Sequence, residues 1–268
     1  MPPSADHSPV LTLRAAKRIG KPMPDFMVAA FGDVHSNLEA LQAVLADMER
    51  LGIRRRVCLG DTVGYAANPA QCLEAVMSLG CPVLKGNHDD LAADDGVLSE
   101  MGDVAQIGIE FSRRKLTPEQ RRYLGGLPLV ISEADCQFVH ASLDAPGEWL
   151  YVVRESDARA HFNSQTQSIC FCGHTHVPRV WHHSSVGEIT TWRGEGWVEL
   201  PYGGKTLINA GSVGQPRDLC PDACYVIFDS QARKVEFRRV AYDLQKTKRK
   251  ILRAKLPRFA AQRLSLGR

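Results

Sequence analysis

The fold of this 268-residue chain is decided by residues 169–176, which read ICFCGHTH. The apolar run 169–172 predicts a short buried strand that stops at Gly173. On an extended segment residues i and i+2 point to the same side. His174 and His176 can therefore reach one metal ion, or two ions that share a pocket. H-x-H is weak evidence alone, because two surface histidines after a strand would give the same pattern.

The first half of the chain repeats an apolar run, a polar loop and a helix-like stretch. Residues 25–31 predict a buried strand, and 38–48 follow with apolar residues spaced for one helix face. Residues 56–59 and 82–84 predict further strands, with a helix beginning at Pro69 between them. This alternation indicates an α/β sheet whose chemistry lies at the carboxyl ends of the strands.

The second half is richer in predicted strands. Strands are expected at 129–132, 136–139, 207–209 and 225–228, and 235–240 alternates like an exposed or edge strand. The glycine-rich insert 184–204 is interpreted either as a hairpin that shapes substrate entry or as a decorated edge. We expect three units. They are a disordered basic tail (1–24), a main domain (25–243), and basic helices (244–268) that pack on that domain or in a homo-oligomer interface.

Composition sets the broad class. Hydrophobic residues make up 44% of the chain, yet no apolar run is long enough to span a membrane. The N-terminus lacks the apolar core of a signal peptide, so a cytoplasmic location is expected. The eight cysteines lie mostly in apolar runs, which is typical of reduced thiols.

Charge is distributed unevenly along the chain. The net charge of +3 includes thirteen basic residues and one acid in 1–24 and 244–268. The 25–243 body is therefore acidic, at a formal −9. An acidic body argues against broad nucleic-acid binding and suits a centre that collects divalent cations.

Residues of metal-ligand type follow five of the predicted strands. Each has a plain alternative, such as a helix cap, a turn residue or a core histidine. Together these alternatives fail, because unrelated turns would each have to offer a ligand at one sheet edge. Carboxylate, amide and imidazole groups suit Mn, Fe, Zn, Ni or Co better than Ca or Mg. The seven candidates are Asp33, His35, Asp61, Asn87, His140, His174 and His176.

The chain resembles the calcineurin-like metallophosphoesterases in five blocks that occur in the family's order. Residues 209–217 and 242–243 also look like later segments of the small bacterial YfcE-like branch. The resemblance implies a four-layer αββα sandwich of two mixed β-sheets flanked by helices. The five blocks are Gly32-Asp33-Val34-His35, Gly60-Asp61, Gly86-Asn87-His88-Asp89, His140 and Gly173-His174-Thr175-His176.

The resemblance further implies a binuclear centre of two divalent transition-metal ions, with manganese expected first. Asp33, His35 and His176 would hold one ion. Asn87, His140 and His174 would hold the other, and Asp61 would bridge them. A metal-bridging hydroxide would attack phosphorus, and His88 would protonate the leaving alkoxide or stabilise the transition state.

Three further residues have two interpretations each. Asp89 either orients His88 or caps the following segment. Arg217 either grips a phosphate oxygen or is an ordinary surface arginine. Asn37 either hydrogen-bonds in the substrate pocket or caps the first helix, and the cap is favoured.

The expected function is hydrolysis of small phosphate esters or nucleotides, first as a phosphodiesterase and alternatively as a phosphomonoesterase. A scaffold without catalysis is a further alternative, but no ligand is missing and His88 is present. No arginine follows Asp61 closely, which argues against protein phosphatase activity. A nuclease would need a basic groove.

Overall fold

The computed structural model describes residues 26–98, 101–133 and 136–268. The predicted tail, 1–24, lies outside the described residues. Two mixed β-sheets form the centre of this part of the chain, and helices cover their outer faces.

One sheet has five strands, in the order β2-β1-β10-β11-β8. β1 and β2 are parallel and the other neighbours are antiparallel. The strands are β1 (Met27–Phe31), β2 (Arg55–Cys58), β8 (Gly196–Glu199), β10 (Ala223–Asp229) and β11 (Lys234–Val240).

The other sheet has six strands, in the order β3-β4-β5-β9-β6-β7. β4, β5 and β9 are parallel, whereas β3, β6 and β7 pair antiparallel with their neighbours. The strands are β3 (Val130–Glu133), β4 (Cys136–Val139), β5 (Ile169–Cys172), β6 (Arg179–His183), β7 (Ile189–Arg193) and β9 (Lys205–Asn209).

The helices lie outside the sheets, and one short 3-10 turn spans Pro146–Glu148. Thr117 caps the helix that begins at Pro118. Proline suits this first position because its ring already fixes the φ angle of a helix. The helices are α1 (Leu38–Arg50), α2 (Pro69–Ser78), α3 (Asn87–Ala93), α4 (Asp103–Lys115), α5 (Pro118–Gly125), α6 (Glu155–Ser164), α7 (Leu244–Arg253) and α8 (Arg258–Leu264).

A continuous apolar core joins the two sheets face to face. The Phe171 ring lies 5.3 Å from the ring of Phe138 in its own sheet and 5.6 Å from that of Phe228 in the other. Because side chains alternate along a strand, the neighbouring Cys170 and Cys172 face outward onto Phe162 of α6. The predicted four-layer αββα sandwich is therefore confirmed.

Two strand predictions were wrong. Residues 82–84 form a single bridge, Cys58–Val83, and not a strand. β11 is not exposed or at an edge, because β8 from the insert pairs along its open side. The insert places β7 on one sheet and β8 on the other, so it extends both sheets at once.

The two last helices pack on the body through a small apolar cluster. Leu252 and Phe259 of these helices lie outside that cluster and are 47% and 56% exposed. The domain bounds and the oligomeric state stay predictions. No helix in the described segments is long and apolar enough to cross a membrane. The apolar cluster through which the last two helices pack on the body contains Ala66, Phe111, Ile251, Leu256, Ala260, Ala261 and Leu264.

Candidate metal centre

The candidate ligands lie in loops with an unusual backbone. Five of them have φ values in the left-handed region, between 47° and 67°. Non-glycine residues there cost about 1–3 kcal/mol each and need firm support from their surroundings. Backbone hydrogen bonds supply it, such as Asp33 N–H to Gly60 O at 2.9 Å. The five are Asp33, His35, Asp61, His174 and His176.

His174 and His176 are consequently not on an extended segment. The chain leaves β5 at Gly173 and turns, and both histidines have positive φ. The two imidazoles therefore join two different ligand groups that adjoin each other. His176 lies with Asp33 and His35, whereas His174 lies with Asp61 and His140.

At Gly86 and Gly173 a side chain of the site packs so closely against the backbone that only glycine fits. A Cβ atom at Gly86 would lie 2.1 Å from Asp61 Oδ1, and one at Gly173 would lie 2.3 Å from Asp33 Oδ2. Both distances are far below an ordinary contact. Only glycine lets the carboxylates sit against these loops.

The first ligand group consists of Asp33, His35 and His176, whose ligand atoms lie within 4.8 Å of one another. His176 Nε2 lies 3.2 Å from Asp33 Oδ1. It also lies 3.0 Å from His35 Nε2. All three side chains are buried. This N, N, O set matches the preference of borderline divalent transition metals.

The second group consists of Asp61, His140 and His174. Asp61 Oδ2 lies 3.4 Å from His140 Nε2 and 3.5 Å from His35 Nε2. One carboxylate oxygen therefore stands between the two groups. The other oxygen, Oδ1, accepts the His88 backbone N–H at 2.8 Å, which fixes the carboxylate.

Backbone carbonyls orient three of the histidines. The Nδ1 atoms of His35, His140 and His176 lie 3.1, 2.8 and 2.6 Å from the carbonyl oxygens of Val63, Leu59 and Gln215. A carbonyl only accepts, so each Nδ1 carries a proton. Each Nε2 is then left facing the cluster as a metal-ligating atom.

Several buried polar atoms at the site have no hydrogen-bond partner within the described protein. They include Asn87 Oδ1, His88 Nδ1, His140 Nε2 and His174 Nε2. A buried polar atom left unpaired costs about 1–3 kcal/mol. Cations among these atoms would satisfy them, so the residues fit metal ions.

The protonation states also suit metal binding. Burial opposes ionisation of Asp61, but the neighbouring histidines, His140 first, hold its pKa well below the ordinary value. Burial lowers the pKa of His174 to about 3 and that of His35 well below its usual range. His140 differs, because Asp61 outweighs burial and raises its pKa to about 9. Metal binding there would release a proton.

His88 lies beside both groups. Its ring centroid is 4.7 Å from those of His35 and Tyr65. Gly64 packs against it so closely that a Cβ would lie 2.3 Å from His88 Nδ1. One of its ring nitrogens also lies within 4.8 Å of the ligand atoms of His35 and Asp61.

The hydrogen bonds of Asp89 favour the second of its two interpretations, a helix cap. Its Oδ1 accepts the backbone N–H groups of Thr62 and Val63 at 2.9 and 3.3 Å. Its Oδ2 accepts that of Gly86 at 3.2 Å. Asp89 therefore caps α3 and ties it to the loop that carries Asp61. Through these hydrogen bonds Asp89 positions the loop that carries Asp61.

Asn37 is a helix cap and not a pocket residue. Its Oδ1 accepts the Ala40 N–H at 3.3 Å at the start of α1, and its Nδ2 donates to Gly214 O at 2.9 Å. Arg217, in contrast, lies next to the site. Its backbone N–H donates to His176 O at 3.1 Å.

Sequence reasoning missed three aromatic residues at the site. Tyr65, Trp149 and Tyr151 line a pocket of about 530 Å³ together with Asn87 and His174. The Tyr151 ring stacks on His174 with centroids 4.0 Å apart. Tyr65 had a usable signal, because it follows Asp61 in a glycine-bounded loop. Trp149 and Tyr151 had none that distinguishes them from ordinary loop aromatics.

Comparison with known proteins agrees with this geometry. Residues 26–233 match the family model of the calcineurin-like phosphoesterase superfamily domain. The chain is 38% identical to an uncharacterised protein of Methanocaldococcus jannaschii, over 90% of this chain and 98% of that one.

Two solved structures share the fold. A metallophosphoesterase from Sphaerobacter thermophilus is 33% identical with a TM-score of 0.79, over 90% of this chain and 99% of that one. A hypothetical protein from Pyrococcus horikoshii is 22% identical with a TM-score of 0.74, over 90% and 98%. The chain belongs to the calcineurin-like phosphoesterase superfamily of metal-dependent phosphoric ester hydrolases.

Proposed function

We propose that this protein is a phosphodiesterase that hydrolyses small phosphate esters or nucleotides at a centre of two divalent transition-metal ions, manganese first. The observation that carries the proposal is the position of Asp61. A single oxygen of its carboxylate faces a histidine of each ligand group at 3.4–3.5 Å. A carboxylate placed in this way can serve two ions at once.

The ligand assignment follows the two groups. Asp33, His35 and His176 would hold one ion, and Asn87, His140 and His174 would hold the other. Asp61 would contribute its carboxylate to both. When bound, two such ions polarise the phosphoryl oxygens and lower the pKa of a water molecule.

The protein's own groups prepare the site for this chemistry. The carbonyls bonded to Nδ1 of His35, His140 and His176 keep each imidazole in one tautomer and one orientation. Burial of the ligand side chains excludes bulk water and strengthens every electrostatic interaction among them.

His88 is the proposed proton donor to the leaving oxygen. Its ring is held between His35 and Tyr65, next to the bridging carboxylate. From there it can donate a hydrogen bond or a proton to an oxygen that departs from phosphorus. A phosphomonoesterase would use the same groups, so the ester preference has to be measured.

The experiment is hydrolysis of bis-p-nitrophenyl phosphate beside p-nitrophenyl phosphate, with metal-stripped protein supplied with Mn, Ni, Zn or Mg in turn. We expect metal-dependent turnover that prefers the diester. Both Asp61→Ala and His88→Ala should reduce it at least about 100-fold.

Glu188→Ala is the matched control, because this carboxylate is exposed in the turn between β6 and β7, at the end of β6 opposite to His176. It should retain wild-type turnover. Protein that binds metals but hydrolyses neither ester would contradict the proposal and favour a scaffold role. Preferred hydrolysis of the monoester would make it a phosphomonoesterase.

A further inference from the structure

Two arginines from distant parts of the sequence meet beside the candidate metal centre. The guanidinium carbons of Arg217 and Arg263 each lie 5.9 Å from the centroid of the Tyr65 ring. Arg217 comes from the loop after β9, and Arg263 comes from α8. Since both approach one ring, two positive charges are concentrated at this side of the site.

Arg217 is the nearer of the two to the metal ligands. Its backbone N–H donates to His176 O at 3.1 Å, and its Nη2 donates to Gln215 Oε1 at 2.9 Å. Nη2 also lies 3.4 Å from Tyr65 Oη. Its buried Nε has no hydrogen-bond partner. Arg217 therefore keeps donor capacity that the described protein does not use.

Arg263 is separated from the candidate metal ligands by the ring of Tyr65. Tyr65 contacts His35 on one side, with ring centroids 4.8 Å apart, and Arg263 packs on Tyr65 as well. Its Nε donates to an oxygen of Arg268, the last residue of the sequence, and no other hydrogen bond or ion pair of its guanidinium is found within the described segments. Burial and the charge of Arg217 lower the pKa of Arg263 from its ordinary value. The two cations thus repel each other across a partly buried site.

Neither guanidinium has an ion pair with an aspartate or glutamate within the described segments. Other arginines of the same body are paired, such as Arg239 with Asp218 and Arg238 with Asp47. Two partly buried arginines without an aspartate or glutamate partner favour an anion that joins them.

The backbone fixes this arrangement. Leu219 N–H, two residues after Arg217, donates to Gly267 O at 2.9 Å. Gly267 has a φ of +59°, and a Cβ there would lie 2.6 Å from Cys220 N. The segment after α8 is therefore docked directly on the Arg217 loop. This contact holds α8, and with it Arg263, against the loop that carries Arg217.

We infer that Arg217 and Arg263 bind a second anionic group of the substrate, next to the phosphoryl group that is hydrolysed. The substrate class is then a compound with two neighbouring phosphates, such as a nucleoside diphosphate or a related phosphoanhydride. Arg217 contacts the side of the pair nearer to the metals, and Arg263 contacts the outer phosphate. This inference rests on the proposed phosphoesterase function for the identity of the first group.

The test compares two inhibitors of bis-p-nitrophenyl phosphate turnover, AMP with one phosphate and the non-hydrolysable α,β-methylene ADP with two. Calorimetric binding of both to the metal-loaded protein gives a second readout. Wild-type protein should prefer the diphosphate. Arg263→Gln should lower that preference about tenfold or more, as expected for a charge-assisted hydrogen bond to phosphate.

Arg258→Gln is the matched control, since Arg258 lies on the same helix and is exposed. It should keep the wild-type preference, and Arg263→Lys should restore part of it. Thermal unfolding of each variant separates loss of binding from loss of folding. An unchanged preference in folded Arg263→Gln, or equal weakening of both inhibitors, would overturn the inference.

The two proposals fail separately. Metal-dependent turnover with no preference for the diphosphate would leave the phosphoesterase function standing and remove the second anion site. Calorimetric binding that depends on Arg263, in a protein that hydrolyses neither ester, would do the opposite.

Discussion

Gly173→Ala is expected to damage the metal centre without disturbing the fold. The added Cβ would lie 2.3 Å from Asp33 Oδ2, about 1 Å closer than an ordinary contact of 3.4 Å or more. Gly173 does not have a positive φ, so alanine can adopt its backbone conformation. The Asp33 carboxylate must therefore move by about 1 Å, and a displacement of that size costs about 100-fold in rate.

The assay combines calorimetric titration of Mn²⁺ with diester turnover. We expect Mn²⁺ affinity at one site to fall about 10- to 100-fold, together with the loss of turnover. Gly126→Ala is the control, because the nearest atom to its added Cβ is at an ordinary 3.5 Å. Wild-type metal affinity and turnover in Gly173→Ala would refute the reasoning that close approach places Asp33.

Three other predictions concern residues outside the ligand set. Asn37→Ala should lower the free energy of unfolding by about 1 kcal/mol, through loss of the α1 cap, and leave the KM for the diester unchanged. Phe171→Ala should cost about 3–5 kcal/mol in denaturant unfolding, because its ring fills the space between the sheets. Burial raises the pKa of the Asp47 carboxyl, but hydrogen bonds from Arg238, Arg50 and Tyr225 outweigh this effect and keep the pKa below its ordinary value. Its stabilisation is therefore present above the unfolded pKa of about 3.9 and is lost as the pH falls through the lower folded pKa. Thermal unfolding from pH 6 to pH 3 should show a smaller decline in Asp47→Asn than in the wild type.

Most of the strands were predictable because their apolar runs end at polar residues, whereas the layered arrangement of the two sheets was implied by the family resemblance. Every residue proposed as a ligand by sequence position lies at or beside the two groups. Asp33 and Asp61 follow the parallel strands β1 and β2 of one sheet, and His140 and His174 follow the parallel strands β4 and β5 of the other.

Where the structure differs from the sequence predictions, contacts between distant parts of the chain are the cause. A local sequence pattern does not contain such contacts. Asp89 could have oriented a histidine, but three backbone N–H groups take its oxygens. β8 extends one sheet through pairing with β11, a contact that sequence spacing does not encode. Arg263 was one of nine basic residues in the last segment, and only its packing on Tyr65 separates it from the solvated ones.

The central claim is that one carboxylate, Asp61, serves two metal ions. Its most direct test is the number of Mn²⁺ ions bound per chain, with electron paramagnetic resonance to detect magnetic coupling between them. We expect two coupled ions in the wild type, and loss of the coupling in Asp61→Ala. A single ion per chain, or two uncoupled ions, would contradict it.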